Sequence, residues 1–179
     1  MDGRRFLKTS HDRYEVILLD AYGSSSIPFH LVTEEVFGLI AKRLTENGIL
    51  SINVETIGWD DPLIATLSAT LRLHFANVLA LPMEEPPDQF GNIVLLASNR
   101  ELEPLTEPED NVTFDPHWRY GPGYYKRHAW DNRFTVDITG ISPLTDDLNP
   151  VDLRSEMINL EARKKLHAFF EENRINVSW

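Results

Sequence analysis

With no cysteine among its 179 residues, the chain can form no disulfide, offer no thiolate to a metal and present no thiol nucleophile, and a reducing compartment is expected. Cations are scarce too. Lys and Arg total 17 against 28 Asp and Glu, a formal charge of -11, which argues against nucleic acid as a partner because phosphate backbones are bound by neutralising them. No apolar run reaches the roughly 18 to 20 residues that cross a bilayer, and Met1 to Arg5 lead into no apolar segment of the signal-peptide kind. The expectation is a cytoplasmic chain with no membrane element of its own. The six histidines, His11, His30, His74, His117, His128 and His167, show no HExxH or paired-ligand spacing, and no Gly-x-Ser-x-Gly elbow is present, so neither a zinc site nor a serine hydrolase is expected.

What the sequence does hold is a 42% hydrophobic share with four Trp, nine Phe and five Tyr, enough for one buried core in a chain of this length. The most informative stretch runs from Tyr14 to Gly23. A continuous apolar run ending in a carboxylate and a loop is how a buried parallel strand delivers an acid to the carboxyl edge of a sheet, and ligands of open α/β sheets sit at that edge. Asp20 is therefore the first candidate for chemistry. The bland alternative for it is a solvated turn or cap aspartate after a core strand.

In chain order, Arg4 to Thr9 read as a helix end and Glu15 to Asp20 as a strand. Thr33 is placed to cap a helix with Glu34 and Glu35 in its first turn and Val36, Phe37, Ile40 and Leu44 along one face. Asn47 and Gly48 are expected to end that helix by adopting left-handed backbone. Ile49 to Glu55 reads as a second strand parallel to the first, completing a βαβ unit. Asp60 or Asp61 with Pro62 starts a helix running to about Leu73. Asn77 to Leu81 and Asn92 to Ala97 then form an antiparallel hairpin, because the Pro-rich connection between them is too short for a crossover helix. Beyond Ser98, Phe134 to Ile138 reads as a short strand, and Pro150 to Asn173 as a final helix with Glu161 and Lys165 at ion-pair spacing. Asp146 and Asp147 lack the ligand-rich spacing of a calcium loop and read as a turn into that helix. The Trp118 to Trp130 stretch interleaves rings with cations, and a packed flap or subunit contact is preferred to single-strand binding.

A parallel βαβ unit, a helix and an antiparallel hairpin in that order resemble the second half of the Rossmann-like fold of class I AdoMet-dependent transferases. Residues Asp2 to Leu7, Tyr14 to Asp20, Ile27 to Phe37, Leu44 to Asn53 and Leu144 to Pro150 are similar to the spermidine synthase family within that class. The resemblance implies an α/β, partial Rossmann-like AdoMet-methyltransferase fold, with parallel strands, a C-terminal antiparallel hairpin and a terminal helix. It divides the chain into a truncated domain over 1–99 and, over 100–179, an extension with an aromatic flap and a final helix packed on the same domain.

That resemblance also implies roles. Asp20 matches the strand-end acid that orients and deprotonates the attacking amine. Asp2 and Gly3 match the pair beside the adenine amino group, and Ala21 lines the same cofactor pocket. Tyr22, Pro28 and Leu31 match the substrate-side lid loop. S-adenosylmethionine or decarboxylated S-adenosylmethionine would be the donor, and a small-molecule amine or nucleoside-type ligand the partner. The glycine-rich loop and ribose-gripping acid of the family would stand ahead of Asp2, so a truncated form with weak donor binding is expected. Gly23 stands where polyamine-specific members carry a second carboxylate. The other reading is a non-catalytic interaction or oligomerisation module, in which a second copy or partner chain covers an open sheet edge.

Overall fold

The computed structural model describes residues 2–21, 27–83, 86–103 and 122–172, with all their helical side chains except those at 122–125, 152–155, 166 and 169. The elements are α1 (Gly3–Thr9), β1 (Tyr14–Leu19), a 3-10 turn (Phe29–Leu31), α2 (Glu34–Arg43), β2 (Leu44–Ile57), α3 (Pro62–Leu71), β3 (Asn77–Pro82), β4 (Phe90–Ser98), α4 (Pro122–Asp131) and α5 (Val151–Glu172).

The described strands form one sheet in the order β1-β2-β4-β3. β1 runs parallel to β2, with Ile17 opposite Leu50 and Leu19 opposite Ile52. β4 inserts antiparallel between β2 and β3, so the expected βαβ unit and hairpin are both present. The strands alternate in burial because successive side chains point to opposite faces. Leu50, Ile52, Val54, Ile93, Leu95 and Ala80 are almost wholly buried and join Phe37 and Ile40 of α2 and Leu67 and Leu71 of α3 in one core. Each Val, Leu, Ile or Phe among them contributes about 1.5–3 kcal/mol by leaving water. Leu144, and Val151 and Ile158 of α5, belong to the same cluster.

Helix starts follow local chemistry. Thr33 accepts from Val36 N, with Glu34 and Glu35 in the first turn and Lys42 and Arg43 in the last, the polarity that suits a helix dipole. Asp61, not Asp60, caps α3: Oδ1 accepts from Leu63 N at 2.8 Å and Oδ2 from Ile57 N at 2.9 Å. Pro62 occupies the first turn, where its missing N–H costs nothing. Gly58 connects β2 to that cap with φ +88°, and a Cβ there would lie 2.8 Å from the Pro87 carbonyl oxygen, so both backbone and space require glycine.

The structure departs from the sequence expectation at several places. Pro122–Asp131 form α4 where a flap is expected over Trp118 to Trp130, residues 118–121 lying outside the described ones, and β1, read as a buried strand, has no buried residue. Asn47 and Gly48 do not end α2, which stops at Arg43, where Leu44 N donates to the Ile40 carbonyl; residues from Leu44 on belong to β2. Gly48 has no left-handed φ; a Cβ there would lie 2.9 Å from Leu44 Cβ and 3.1 Å from Thr45 N, so close packing is what excludes a side chain. It sits where the register slips, between Tyr14 opposite Leu44 and Val16 opposite Ile49. α3 ends at Leu71 rather than Leu73, and Leu73 is half-exposed. Residues 134–138 form no strand: Phe134 alone bridges Ala80, its ring stacked on Trp59 with centroids 6.0 Å apart. Finally, Glu161 meets Lys164, while Lys165 donates to the Phe90 carbonyl at 2.8 Å and lies over its ring. A carbonyl and a ring together outweigh an exposed i,i+4 pair worth only about 0.3–0.5 kcal/mol.

Candidate functional site

Two groups of side chains hold the described site residues that the sequence pointed to. The first stands at the strand ends. Asp20 directly follows Leu19, which lies opposite Ile52, and its neighbour in register is Asn53. Asn53 Nδ2 donates to Asp20 Oδ1 at 3.2 Å. Asp20 is exposed and Ala21 half-buried, so an amide orients an exposed carboxylate at the end of β1. Glu55 lies two residues further along β2 and thus on the same face as Asn53. Its carboxyl is raised above the usual range because burial disfavours the charge.

The second group stands where α1 meets the 3-10 turn. Asp2 caps α1, its Oδ1 accepting from Arg5 N at 3.0 Å, and its other oxygen lies 3.2 Å from His30 Nε2. The Arg5 N–H, with a smaller contribution from His30, holds the Asp2 carboxyl below its ordinary value. Each carboxylate oxygen has two lone pairs, so a cap and a histidine contact leave Asp2 able to accept from an exocyclic amine. A Cβ on Gly3 would lie 3.9 Å from Leu31 Cδ2, which brings the start of α1 against the turn. Pro28 precedes that turn, half-buried, and Leu31 is buried.

The structure therefore brings Asp2 and Gly3 against His30 and Leu31, with Pro28 at the start of the same turn, and joins Asp20, next to Ala21, to Asn53. Tyr22, the remaining expected site residue, lies outside the described residues, as do Gly23 to Ser26. Asn53 and Glu55 escaped the sequence reading. The signal for them was the alternation of Asn53 and Glu55 with Ile52, Val54 and Thr56, which turns two polar side chains to the face opposite the core. Asp146 escaped as well. It receives both terminal nitrogens of Arg4 and the Thr33 hydroxyl at 2.8 Å, and these, Arg4 foremost, lower its carboxyl to about 2. Arg4 lies 142 residues away in sequence, so no local pattern announced the pairing. Among the described residues no group of three or more His, Asp or Glu could hold a metal ion, and no helix is long and apolar enough to cross a membrane.

No family model matches the chain. Over 114 residues, 62% of its length, the chain is 35% identical to a protein of Bifidobacterium longum described as a probable polyamine aminopropyl transferase, and it spans 24% of that relative. Its fold is similar to that of a probable spermidine synthase from Corynebacterium glutamicum, with a TM-score of 0.50 at 22% identity over 57% of this chain and 38% of that one. Human methyltransferase-like protein 13, solved in complex with SAH, gives a TM-score of 0.44 at 16% identity over 79% and 62% of the two chains, a likeness too slight to argue from. The chain thus carries part of the Rossmann-like fold of the AdoMet-dependent transferases. In sequence it is similar to a probable polyamine aminopropyl transferase and in fold to a probable spermidine synthase, and it spans about a quarter of the curated relative it matches.

Proposed function

We propose that the chain forms the acceptor side and the adenine side of a spermidine synthase-like transferase, moving an aminopropyl group from decarboxylated S-adenosylmethionine to a small amine. The observation that carries this reading is the Asn53 amide holding Asp20 Oδ1 at 3.2 Å at the mouth of the parallel strand pair. In such a transfer the amine lone pair forms a bond to the carbon beside the sulfonium, the carbon–sulfur bond breaks, and the electrons stay on sulfur as a neutral thioether. Asp20 takes the proton that the acceptor ammonium must lose, and Asn53 keeps the carboxylate aimed so that the amine arrives uncharged and close. Asp2, with Gly3 beside Leu31, receives the adenine amino group. These residues supply contacts to the adenine end of the donor and to the acceptor.

Calorimetry with methylthioadenosine, the product nucleoside, and mass spectrometry of the amine product test this reading. Weak nucleoside binding is expected, reduced by Asp2→Ser, which keeps a capping oxygen but loses the outer carboxylate oxygen, and untouched by Asp20→Asn. Aminopropyl product is expected to disappear in Asp20→Asn. Full product formation by Asp20→Asn, or no nucleoside binding by the native chain, would sink the proposal. If methyl rather than aminopropyl transfer is seen, the site stands and the donor assignment falls.

A second reading rests on a different observation: Val16 and Leu18 on β1 are 61% and 65% exposed, and β1 ends the described sheet with a partner on one side only. Such an edge invites pairing, and a non-catalytic assembly module would use it. Light scattering separates the two, since concentration-dependent dimerisation abolished by Leu18→Lys, without nucleoside binding, favours the module.

A further inference from the structure

The segment from Leu144 to Asn149 touches every element that carries the adenine-side residues. Leu144, itself buried, donates its N–H to Thr70 Oγ1 of α3 at 2.9 Å, and its carbonyl accepts from Glu34 N at the start of α2 at 2.8 Å. Asp146 accepts from Arg4 of α1 and from Thr33, and its N–H donates to Glu35 Oε2 at 3.1 Å. Asn149 Nδ2 donates to the Phe29 carbonyl in the 3-10 turn at 2.8 Å. One stretch thereby fixes the start of α1 and the turn against the same body.

α1 needs such a tie. Its seven residues are too few for a helix that stands alone in water. Its far end is fastened by buried Leu7, whose carbonyl accepts from Arg43 Nε at 3.0 Å. Its near end, which presents Asp2 and Gly3, is fastened by Arg4 to Asp146 and by Asp2 to His30. Without Asp146 the near end would be held through the exposed His30 contact alone among these ties, and α1 could swing about Leu7.

We propose that Asp146 and Asn149 are positioning residues for the nucleoside: Asp146 sets Asp2 through Arg4, Asn149 sets Pro28 to Leu31 through Phe29, and together they hold one preformed wall. This rests on the transferase reading above for the identity of the ligand, but the mechanical part stands apart from it. A wall fixed before binding spares the ligand the cost of ordering it, so the two residues raise affinity without touching the nucleoside.

The test is amide hydrogen exchange on the full chain without ligand, followed by methylthioadenosine titration. In Asp146→Asn the Phe6 amide, bonded to the Asp2 carbonyl at the near end of α1, should exchange roughly ten-fold faster, the order expected for losing a charge-assisted pair. In Asn149→Ala the Leu31 and Val32 amides, bonded to Pro28 O and Phe29 O, should respond instead, and Asn149→Gln should partly restore them. Sheet amides such as Ile52 and Leu95 should not change in either variant. Both variants should weaken methylthioadenosine several-fold. Unchanged exchange in α1 and the turn, or a uniform rise that includes the sheet, overturns the inference. Native binding left intact by both variants overturns it as well. No nucleoside binding by the native chain overturns the transferase reading, while the exchange pattern still decides the tie.

Discussion

Replacing Asp61 with alanine removes two hydrogen bonds at one stroke. Oδ1 satisfies the Leu63 N–H at the start of α3, Oδ2 satisfies the Ile57 N–H at the end of β2, and the side chain is 9% exposed, so water cannot simply replace it. Loss of an N-cap costs about 1 kcal/mol, with a range to about 2. The stranded Ile57 N–H adds about 1–2 kcal/mol. The sum is about 3 kcal/mol, a fall in Tm of roughly 6–12 °C at about 2–4 °C per kcal/mol for a domain of this size. Asp61→Asn keeps one acceptor oxygen and turns an NH2 toward the other donor, so it should lose about 1–1.5 kcal/mol. Asp60, the exposed neighbour, should change stability by less than about 0.5 kcal/mol when replaced by alanine. Urea unfolding of the three variants settles the matter. Equal losses for Asp60→Ala and Asp61→Ala, or a loss below about 1 kcal/mol for the latter, would refute the double-cap account.

Acid should weaken the Arg4–Asp146 pair, because a carboxyl held at about 2 against an ordinary 3.8 gives stability that is present above the ordinary value and is lost as pH falls through the folded one. With Asp146 about a third exposed, the difference between native chain and Asp146→Asn should be only about 1 kcal/mol, and urea midpoints should converge as pH drops from about 5 to about 2. Gly48→Ala places a Cβ against Leu44 and Thr45 and should cost about 1–3 kcal/mol through overpacking, seen as a lowered thermal midpoint. Leu95→Ala empties a fully buried place in the central β4 strand and should cost about 2–5 kcal/mol, measured by urea unfolding.

Much of the sheet was legible because its information is local. The apolar run before Asp20, the acidic first turn after Thr33 and the Asp61-Pro62 start each write one element in a few neighbouring residues. The hairpin was legible from the short, proline-rich link that forbids a crossover. Asn47 and Gly48 misled because glycine has two uses; the left-handed turn is the one visible in sequence, and close contact with Leu44 appears only when the strand register slips. Phe134 to Ile138 misled because one aromatic stack on Trp59 fixes a single residue, which alternation alone cannot distinguish from a strand. At the site, Asp20 was written by its strand, whereas Asn53 was chosen by register between two strands and Asp146 by a partner at the other end of the chain.

The pairing of Arg4 with Asp146 has a consequence for how the molecule is born. Contacts between distant parts of a chain form late and slow folding, and synthesis proceeds from the amino end. The βαβ unit and its hairpin are complete once Ser98 has emerged from the ribosome, yet Arg4 of α1 lacks its Asp146 partner until nearly fifty further residues have followed. α1 is therefore made well before its last tie, and a nascent chain halted short of the Leu144 segment would hold a finished sheet with α1 fastened through Leu7 and His30 but not through Arg4.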